Sequence, residues 1–232
     1  MDMVSIYDYL RGNAYPGRGV AVGKTADGKN AALIYFIMGR SVNSRNRVFE
    51  PYDGGIRTRA FDEALLTDPS LIIYAPVRLC GPHTIVTNGD QTDTVFDSLA
   101  AGGSFEDALR TREYEPDAPN FTPRISGIAT VGETFSYKLS ILKKTLGGPG
   151  CERFFYEYAA PEDGVGHLIH TYACDGDPIP SFCGEPVAFG VGNDLEAVAD
   201  GLLDAENKVS LFVRFVSLAD GTARTALRNK NQ

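Results

Sequence analysis

Thr87, Asn88, Gly89, Asp90, Gln91, Thr92 and Asp93 place two hydroxyls, two amides and two carboxylates in one uninterrupted run. The apolar stretch "HTIV" leads in, and "TVFDSLAAG" leads out with helical spacing. A tight hairpin takes about two to five residues, so a polar run of this length between a strand and a helix asks for another purpose. A second candidate is basic. Between Arg40 and Arg59 lie Arg40, Arg45, Arg47, Arg57 and Arg59, opposed only by Glu50 and Asp53. Arginine suits phosphate because its planar fork donates two hydrogen bonds at once. Ser41, Asn43, Ser44 and Asn46 add small neutral donors between the arginines. The same residues also fit a solvated basic loop paired to acidic neighbours.

Other residues are weaker pointers. Tyr74 and Arg78 lie four apart on a predicted strand and would share a face; a tyrosine there is ordinarily core with its hydroxyl satisfied at an edge. "REYEPDAPNFTPRISG" holds Glu113, Glu115, Asp117, Asn120, Thr122 and Arg124 around three prolines. Prolines reduce the conformational freedom of a loop, so this segment reads either as a site wall or as a rigid connection. His167 and His170 are three apart on a predicted strand, point to opposite faces and do not form a metal pair. Nothing matches a phosphate-binding loop, a nucleophile elbow, a zinc-binding helix or a dinucleotide glycine fingerprint.

These candidates need elements to hold them. "GVAVGKTADGKNAALIYFIMG" reads as a β-hairpin around "ADGKN". "SLIIYAPVRLC" and "HTIVT" read as two further strands. "DTVFDSLAAGG" puts Val95, Phe96 and Leu99 on one helical face, and "SFEDALRTREY" opens on Ser104 in a capping-box pattern. Beyond it, "PRISGIATV", "TFSYKLSILKK", "CERFFYEYA", "VGHLIHTYA" and "KVSLFVRFVS" are β-branched and aromatic with much alternation. "NDLEAVADGLLDA" predicts a late helix capped by Asn193, with Leu195, Val198 and Leu202 on one side. About nine strands in antiparallel runs with three or four helices predict an α+β fold: stacked sheets with helices on the outer faces. Nothing marks a boundary, so residues 1–232 are expected to form a single domain.

The chain has 232 residues, 43% of them hydrophobic and 22% charged, a balance that predicts a globular core. No apolar run approaches the roughly 18 residues of a membrane span, and the N-terminus lacks the basic and apolar regions of a signal peptide; a cytoplasmic protein is expected. A net charge of −8 argues against a general nucleic-acid binder. Cys80, Cys151, Cys174 and Cys183 form no Cys-x-x-Cys pair, so free thiols and no structural metal are expected.

"VTNGDQTD", with "YAPVR" before it and "YEPDAPNFTPRISG" after it, resembles the archaeal-type IMP cyclohydrolase family. "YPGRG" (Tyr15 to Gly19) and "GRSVNSR" fit the same pattern in the same order. The resemblance covers roughly residues 15 to 130; "FEPYDGGIRTR" departs from it, and the C-terminal half rests on its own residues. The family implies the four-layer αββα sandwich of the N-terminal-nucleophile hydrolases. True members of that larger group use an N-terminal Ser, Thr or Cys, whereas this chain begins Met1-Asp2-Met3.

The family also implies a reaction: formamidoimidazole-carboxamide ribotide closes to inosine monophosphate with loss of water. No metal or organic cofactor is implied, and a separate transformylase would supply the formyl group. On that reading the phosphate falls to Arg40 and Arg45, with Ser41 beside them. Tyr74 would donate to the formyl oxygen, and Glu115 would accept a proton or orient the carboxamide. Asn88, Gly89 and Asp90 would meet the heteroaromatic ring or ribose, with the helix N-terminus behind them. Arg124 would close the site, and Lys24 is a further binding candidate. Two alternatives stay open: a purine-nucleotide-binding paralogue without turnover, and an amidohydrolase on the same fold. Exposed strand edges leave room for a homo-oligomer.

Overall fold

A computed structural model describes residues 3–66, 69, 72–202 and 206–231. In chain order, α1 (Ile6–Arg11) precedes the hairpin β1 (Arg18–Lys24) and β2 (Asn30–Met38). Next come α2 (Val42–Arg45), β3 (Arg47–Tyr52), β4 (Gly55–Ala60), a 3-10 turn at Glu63–Leu65, β5 (Val77–Cys80) and β6 (His83–Thr87). Two helices, α3 (Gln91–Ala100) and α4 (Phe105–Arg110), lead to β7 (Arg124–Val131), β8 (Phe135–Lys144), β9 (Cys151–Tyr158), β10 (Val165–His170) and β11 (Val187–Gly190). The chain closes with α5 (Leu195–Gly201), β12 (Lys208–Ser217) and β13 (Ala223–Asn229).

The strands form two antiparallel sheets, one of six in the order β11-β10-β1-β2-β12-β13 and one of seven in the order β3 through β9. Alternation decides what each face meets. Val20, Val22, Leu33, Tyr35 and Ile37 of the first sheet face Val77, Val86, Ile125, Leu139 and Ile141 of the second, giving a dry layer between the sheets. The opposite face of the first sheet packs Ala21, Ile34, Phe36 and Val213 against Ile6 and Leu10 of α1 and Leu195 and Val198 of α5. The outer face of the second sheet packs Ile85, Ile128 and Leu142 against Val95 of α3 and Phe105 and Leu109 of α4. Helix, sheet, sheet and helix therefore stack as four layers, as expected from the strand-rich pattern. The sheets approach closely at Gly127, where an added Cβ would lie 2.9 Å from Val20 Cγ1.

Several elements differ from the sequence reading. "SLIIYAPVRLC" is not one strand: among the described residues only Val77–Cys80 is extended and paired. Pro76 has no N–H for a ladder, and Tyr74 is instead gripped by Thr58, whose N–H donates to Tyr74 O (2.9 Å) and whose Oγ1 accepts from Tyr74 N (3.0 Å). Tyr74 and Arg78 consequently do not share a face. Tyr74 turns inward, while the Arg78 guanidinium lies 3.5 Å from the Phe96 ring centroid and pairs with Asp93 at 2.7 Å.

The segment from Arg47 to Ala60, read as basic and as a departure from the family pattern, is the β3–β4 hairpin at the sheet edge, turning through positive φ at Asp53 and Gly54. The strands β11 and β13 and the helix α1 also escaped the sequence reading. The cap of α5 is Asp194, which accepts from Glu196 N and Ala197 N; Asn193 instead accepts from Asp27 N at 2.9 Å. The last part of the predicted late helix, residues 203–205, lies outside the described residues. Ser104 does cap α4, accepting from Asp107 N.

Candidate active site

At one end of the inter-sheet layer, polar groups replace the hydrocarbon. Arg18 opens β1, Tyr35 lies within β2, and Arg47 opens β3. Tyr74 comes from the loop before β5, Glu115 from the loop after α4, and Arg124 opens β7. Strand ends supply most of the charges because a side chain there can point between the sheets while its backbone stays in the ladder. Arg18 is fixed by both backbone groups: its N–H donates to Thr171 Oγ1 (3.1 Å), and its carbonyl accepts from Thr171 N (2.9 Å).

The Tyr35 and Tyr74 hydroxyls lie 2.8 Å apart, with both rings buried. Glu115 is 4% exposed. Burial raises its carboxyl above the ordinary glutamate range, and the charges of Arg18, Arg124 and Arg47 pull the other way without cancelling the effect. Burial alone would lower the proton affinity of Arg18, but Glu115 and then the Tyr74, Tyr172 and Tyr35 phenols outweigh it, so the guanidinium is held firmly charged. Arg47 is shifted down by burial and by the neighbouring Arg18, yet an arginine remains protonated in a protein. Among the described residues, buried Arg18 Nε and Arg47 Nε and Nη1 have no hydrogen-bond acceptor. Buried cationic donors without partners are costly, and an anionic or carbonyl oxygen is the kind of group that would satisfy them.

The polar run at residues 87–93 is a clamp on this cluster. Thr87 Oγ1 donates to Gly89 O and lies 2.7 Å from Thr92 Oγ1. The Asn88 side chain donates to Pro123 O (2.9 Å) and accepts from Ile125 N (2.9 Å) and Gln91 Nε2 (2.9 Å), which pins the loop to β7. Asp90 Oδ1 and Gln91 Oε1 each accept from Arg124 Nη1 at 2.6 Å. Gly89 completes the arrangement. A Cβ there would lie 2.7 Å from Arg124 Nη1 and 3.3 Å from Glu115 Oε1, so the absent side chain is the gap across which guanidinium and carboxylate face each other. The carboxyl of Asp90 is lowered: burial opposes this, but the Arg112 and Arg124 bonds and charges prevail.

The remaining sequence candidates are placed as follows. Arg40 sits at the surface, paired with Asp175 and 5.0 Å from the centroid of the Tyr15 ring. Tyr15 in turn stacks on Tyr172 at 5.7 Å, and the Tyr172 hydroxyl lies 2.5 Å from Thr122 Oγ1. Arg40 is thus at the rim rather than in the buried cluster. Arg45 is engaged with Gly39 O and Asn207 Oδ1, each at 2.8 Å, and Ser41 caps α2 through Ser44. Lys24 is at the far end of β1 from Arg18, paired with Asp163 at 2.5 Å. Arg57 and Arg59 pair with Glu50 on the exposed hairpin.

Tyr74, Glu115, Gly89, Asp90 and Arg124 come together; Arg45, Ser41 and Lys24 do not join them. Sequence reasoning named Arg47 only as one of five arginines in the basic segment, and missed Arg18, Tyr35 and Tyr172 as site residues. Arg18 stood inside the quoted "YPGRG" motif, which was the available signal. Among the described residues, no group of three or more His, Cys, Asp and Glu side chains is placed to hold a metal ion.

Four stacked layers, with a buried cluster of arginines, phenols and one carboxyl between the sheets, define an αββα sandwich of the α+β class. The model of the IMP cyclohydrolase-like protein family matches residues 15–221, and the chain belongs to that family. The match runs well beyond residue 130, where the motif resemblance stopped. An IMP cyclohydrolase of Methanopyrus kandleri is 30% identical over 190 residues, covering 72% of this chain and 89% of its own length. One from Methanococcus maripaludis is 33% identical over 126 residues, covering 52% of this chain and 61% of its own length. One from Methanococcus aeolicus is 27% identical over 164 residues, covering 69% and 75% respectively.

Proposed function

We propose that the chain is an IMP cyclohydrolase, closing formamidoimidazole-carboxamide ribotide to inosine monophosphate with loss of water, and that it acts as a single domain. The observation that carries this reading is the buried Glu115 carboxyl among Arg18, Arg47 and Arg124, beside the Tyr35–Tyr74 pair, with guanidinium donors lacking an acceptor. The carboxamide nitrogen attacks the formyl carbon of the same molecule. A C–N bond forms, the carbonyl electron pair moves to oxygen, and the nitrogen loses a proton. The alkoxide takes up a proton to become a carbinol; its oxygen then takes up a second proton and leaves as water while the formamido nitrogen loses its N–H proton and the ring C=N bond forms.

Each step has a residue suited to it. Glu115, with its raised proton affinity, is matched to taking the carboxamide proton and returning one to the departing oxygen. Tyr74 donates a hydrogen bond to the formyl oxygen, oriented by Tyr35. Arg18 supplies positive charge where the oxyanion develops. Arg47 binds the substrate through its unpartnered donors, Arg124 closes the site against Glu115, and Arg40 at the rim is the phosphate contact. Holding the two reacting groups of one molecule in a near-attack arrangement contributes several kcal/mol more.

No described helix is long and apolar enough to cross a membrane. A cytoplasmic location, a separate transformylase upstream and pairing of copies through free sheet edges belong to the same proposal. The test is to incubate the pure protein with the formylated ribotide, without added metal or folate, and to follow inosine monophosphate by chromatography. Product above the uncatalysed rate, lost in Glu115→Gln, is the expected result. A rate equal to the uncatalysed one would overturn the proposal.

A further inference from the structure

Arg124 does not face Glu115 alone. Its Nη1 is held in a fork between Asp90 Oδ1 and Gln91 Oε1, both at 2.6 Å. The second oxygen of Asp90 accepts from Arg112 Nη2 at 2.5 Å. Arg112 is anchored in turn, donating from Nη1 to Thr94 Oγ1 (3.3 Å), with its backbone carbonyl accepting from Arg153 Nη2 (2.9 Å). A chain of alternating charge thus runs from a partly exposed Arg112 through Asp90 and the buried Arg124 to the edge of the Gly89 gap, with Glu115 on the other side. We propose that Asp90 and Arg112 are positioning residues that act through Arg124: together they set how much positive charge the Glu115 carboxylate feels.

The effect is one of charge balance: Asp90 is half-exposed and its charge is partly screened, but Arg124 and Glu115, between which the effect is read, are buried. Asp90 by itself would neutralise Arg124. Arg112 draws on the same carboxylate and leaves part of the Arg124 charge uncompensated. Removing Arg112 lets Asp90 cancel Arg124 more fully, and Glu115 then loses support for its ionised form. Removing the charge of Asp90 has the opposite effect, because Arg124 then faces Glu115 undiluted. The other groups around Glu115 are Arg18 from β1, Arg47 from β3 and Asp117 from its own loop. Tyr35, Tyr74 and Tyr172 adjoin the same cluster through Arg18. None of these is altered by either substitution.

A role confined to holding the loop would not move the titration of Glu115 in opposite directions, and this is what the experiment reads. The side-chain carboxyl of Glu115 is titrated by carbon-13 NMR in the ligand-free protein, with Glu115→Gln to assign the signal. Arg112→Gln is expected to raise its midpoint and Asp90→Asn to lower it, each by about half a pH unit. Arg112→Lys, which keeps the charge, is expected to restore the wild-type midpoint. Shifts of the same sign, or no shift in spectra that report a folded protein, would overturn the inference.

The inference rests on the cyclohydrolase reading only for its consequence, that the acid limb of the pH–rate profile moves with the same signs. The titration itself needs no turnover, so an inactive protein would sink that reading and leave the charge relay to be judged separately. If Asp90→Asn unfolds the chain, Arg112→Gln and its lysine rescue decide alone.

Discussion

The Tyr74 hydroxyl is 2.8 Å from the Tyr35 hydroxyl, deep in the layer between the sheets. One phenol is rooted in the centre of β2, the other in a loop that Thr58 clamps through backbone and side chain. A hydroxyl held this way is oriented before substrate arrives, which is the condition for a hydrogen bond to count at the transition state. Tyr74→Phe is therefore expected to lower kcat by about 100-fold with little change in KM, as for loss of one oriented donor. Tyr35→Phe, which leaves Tyr74 in place but unoriented, is expected to cost about tenfold or less. Steady-state kinetics of the two variants check this; equal losses would argue against a division between donor and orienter.

Much of the scaffold is legible in the sequence, and the reason is local. The β1–β2 hairpin has turn residues between two apolar runs, α4 carries its own cap at Ser104, and the strands β7 to β10 and β12 alternate. The site is less legible because arginine chemistry is sorted by register. Within one basic segment Arg47 turns between the sheets, while Arg57 and Arg59 meet Glu50 in the open and Arg45 ties down Gly39 and Asn207. Tyr35 reads as one more core residue of "ALIYFIM", and its hydroxyl finds its partner in Tyr74, distant in sequence. The polar run at 87–93 lies beside the Arg124–Glu115 pair, yet its Asn88 amide is spent on binding β7.

Gly89 is where sequence and chemistry meet most directly. An alanine methyl there would come within 2.7 Å of Arg124 Nη1 and of Gln91 Oε1. Something must move, and the guanidinium is the charged arm beside Glu115. Gly89→Ala is expected to fold with a stability loss of about 1–3 kcal/mol and to lower kcat/KM by at least about tenfold. Chemical denaturation read beside kinetics separates the two. Unchanged kinetics in a folded Gly89→Ala would show that Arg124 needs no fixed position.

His170 gives the fold a pH dependence away from the proposed chemistry. It is 1% exposed, with Nε2 at 2.7 Å from the Tyr9 hydroxyl and Nδ1 at 2.8 Å from Tyr172 O. Burial pushes its pKa down from 6.5 to about 4, opposed only by the Tyr172 carbonyl. The unfolded chain therefore binds a proton below pH 6.5 that the folded chain refuses until about pH 4. The contribution of His170 is fully present above the unfolded value and is lost as pH falls through this window, approaching about 3 kcal/mol. Urea unfolding at pH 7, 5.5 and 4.5 is expected to show that slope, and His170→Gln to flatten it. An equal slope in both proteins would mean that other groups carry the acid sensitivity.

Arg47 offers the sharpest separation of function from stability. It is 4% exposed, its Nε and Nη1 find no acceptor among the described residues, and Arg18 lies in the same cluster. A buried cation with open donors and a cationic neighbour strains the folded state, and an apolar replacement of similar length relieves it. Arg47→Met is expected to stabilise the ligand-free protein by about 1 kcal/mol or more. The same change removes the donors that the proposed function assigns to the substrate, so KM is expected to rise and kcat/KM to fall by about 100-fold. Thermal unfolding with and without inosine monophosphate reads both effects, since ligand should raise the Tm of the wild type and hardly that of the variant. A destabilised Arg47→Met that still responds to inosine monophosphate would mean that this arginine serves the fold rather than the ligand.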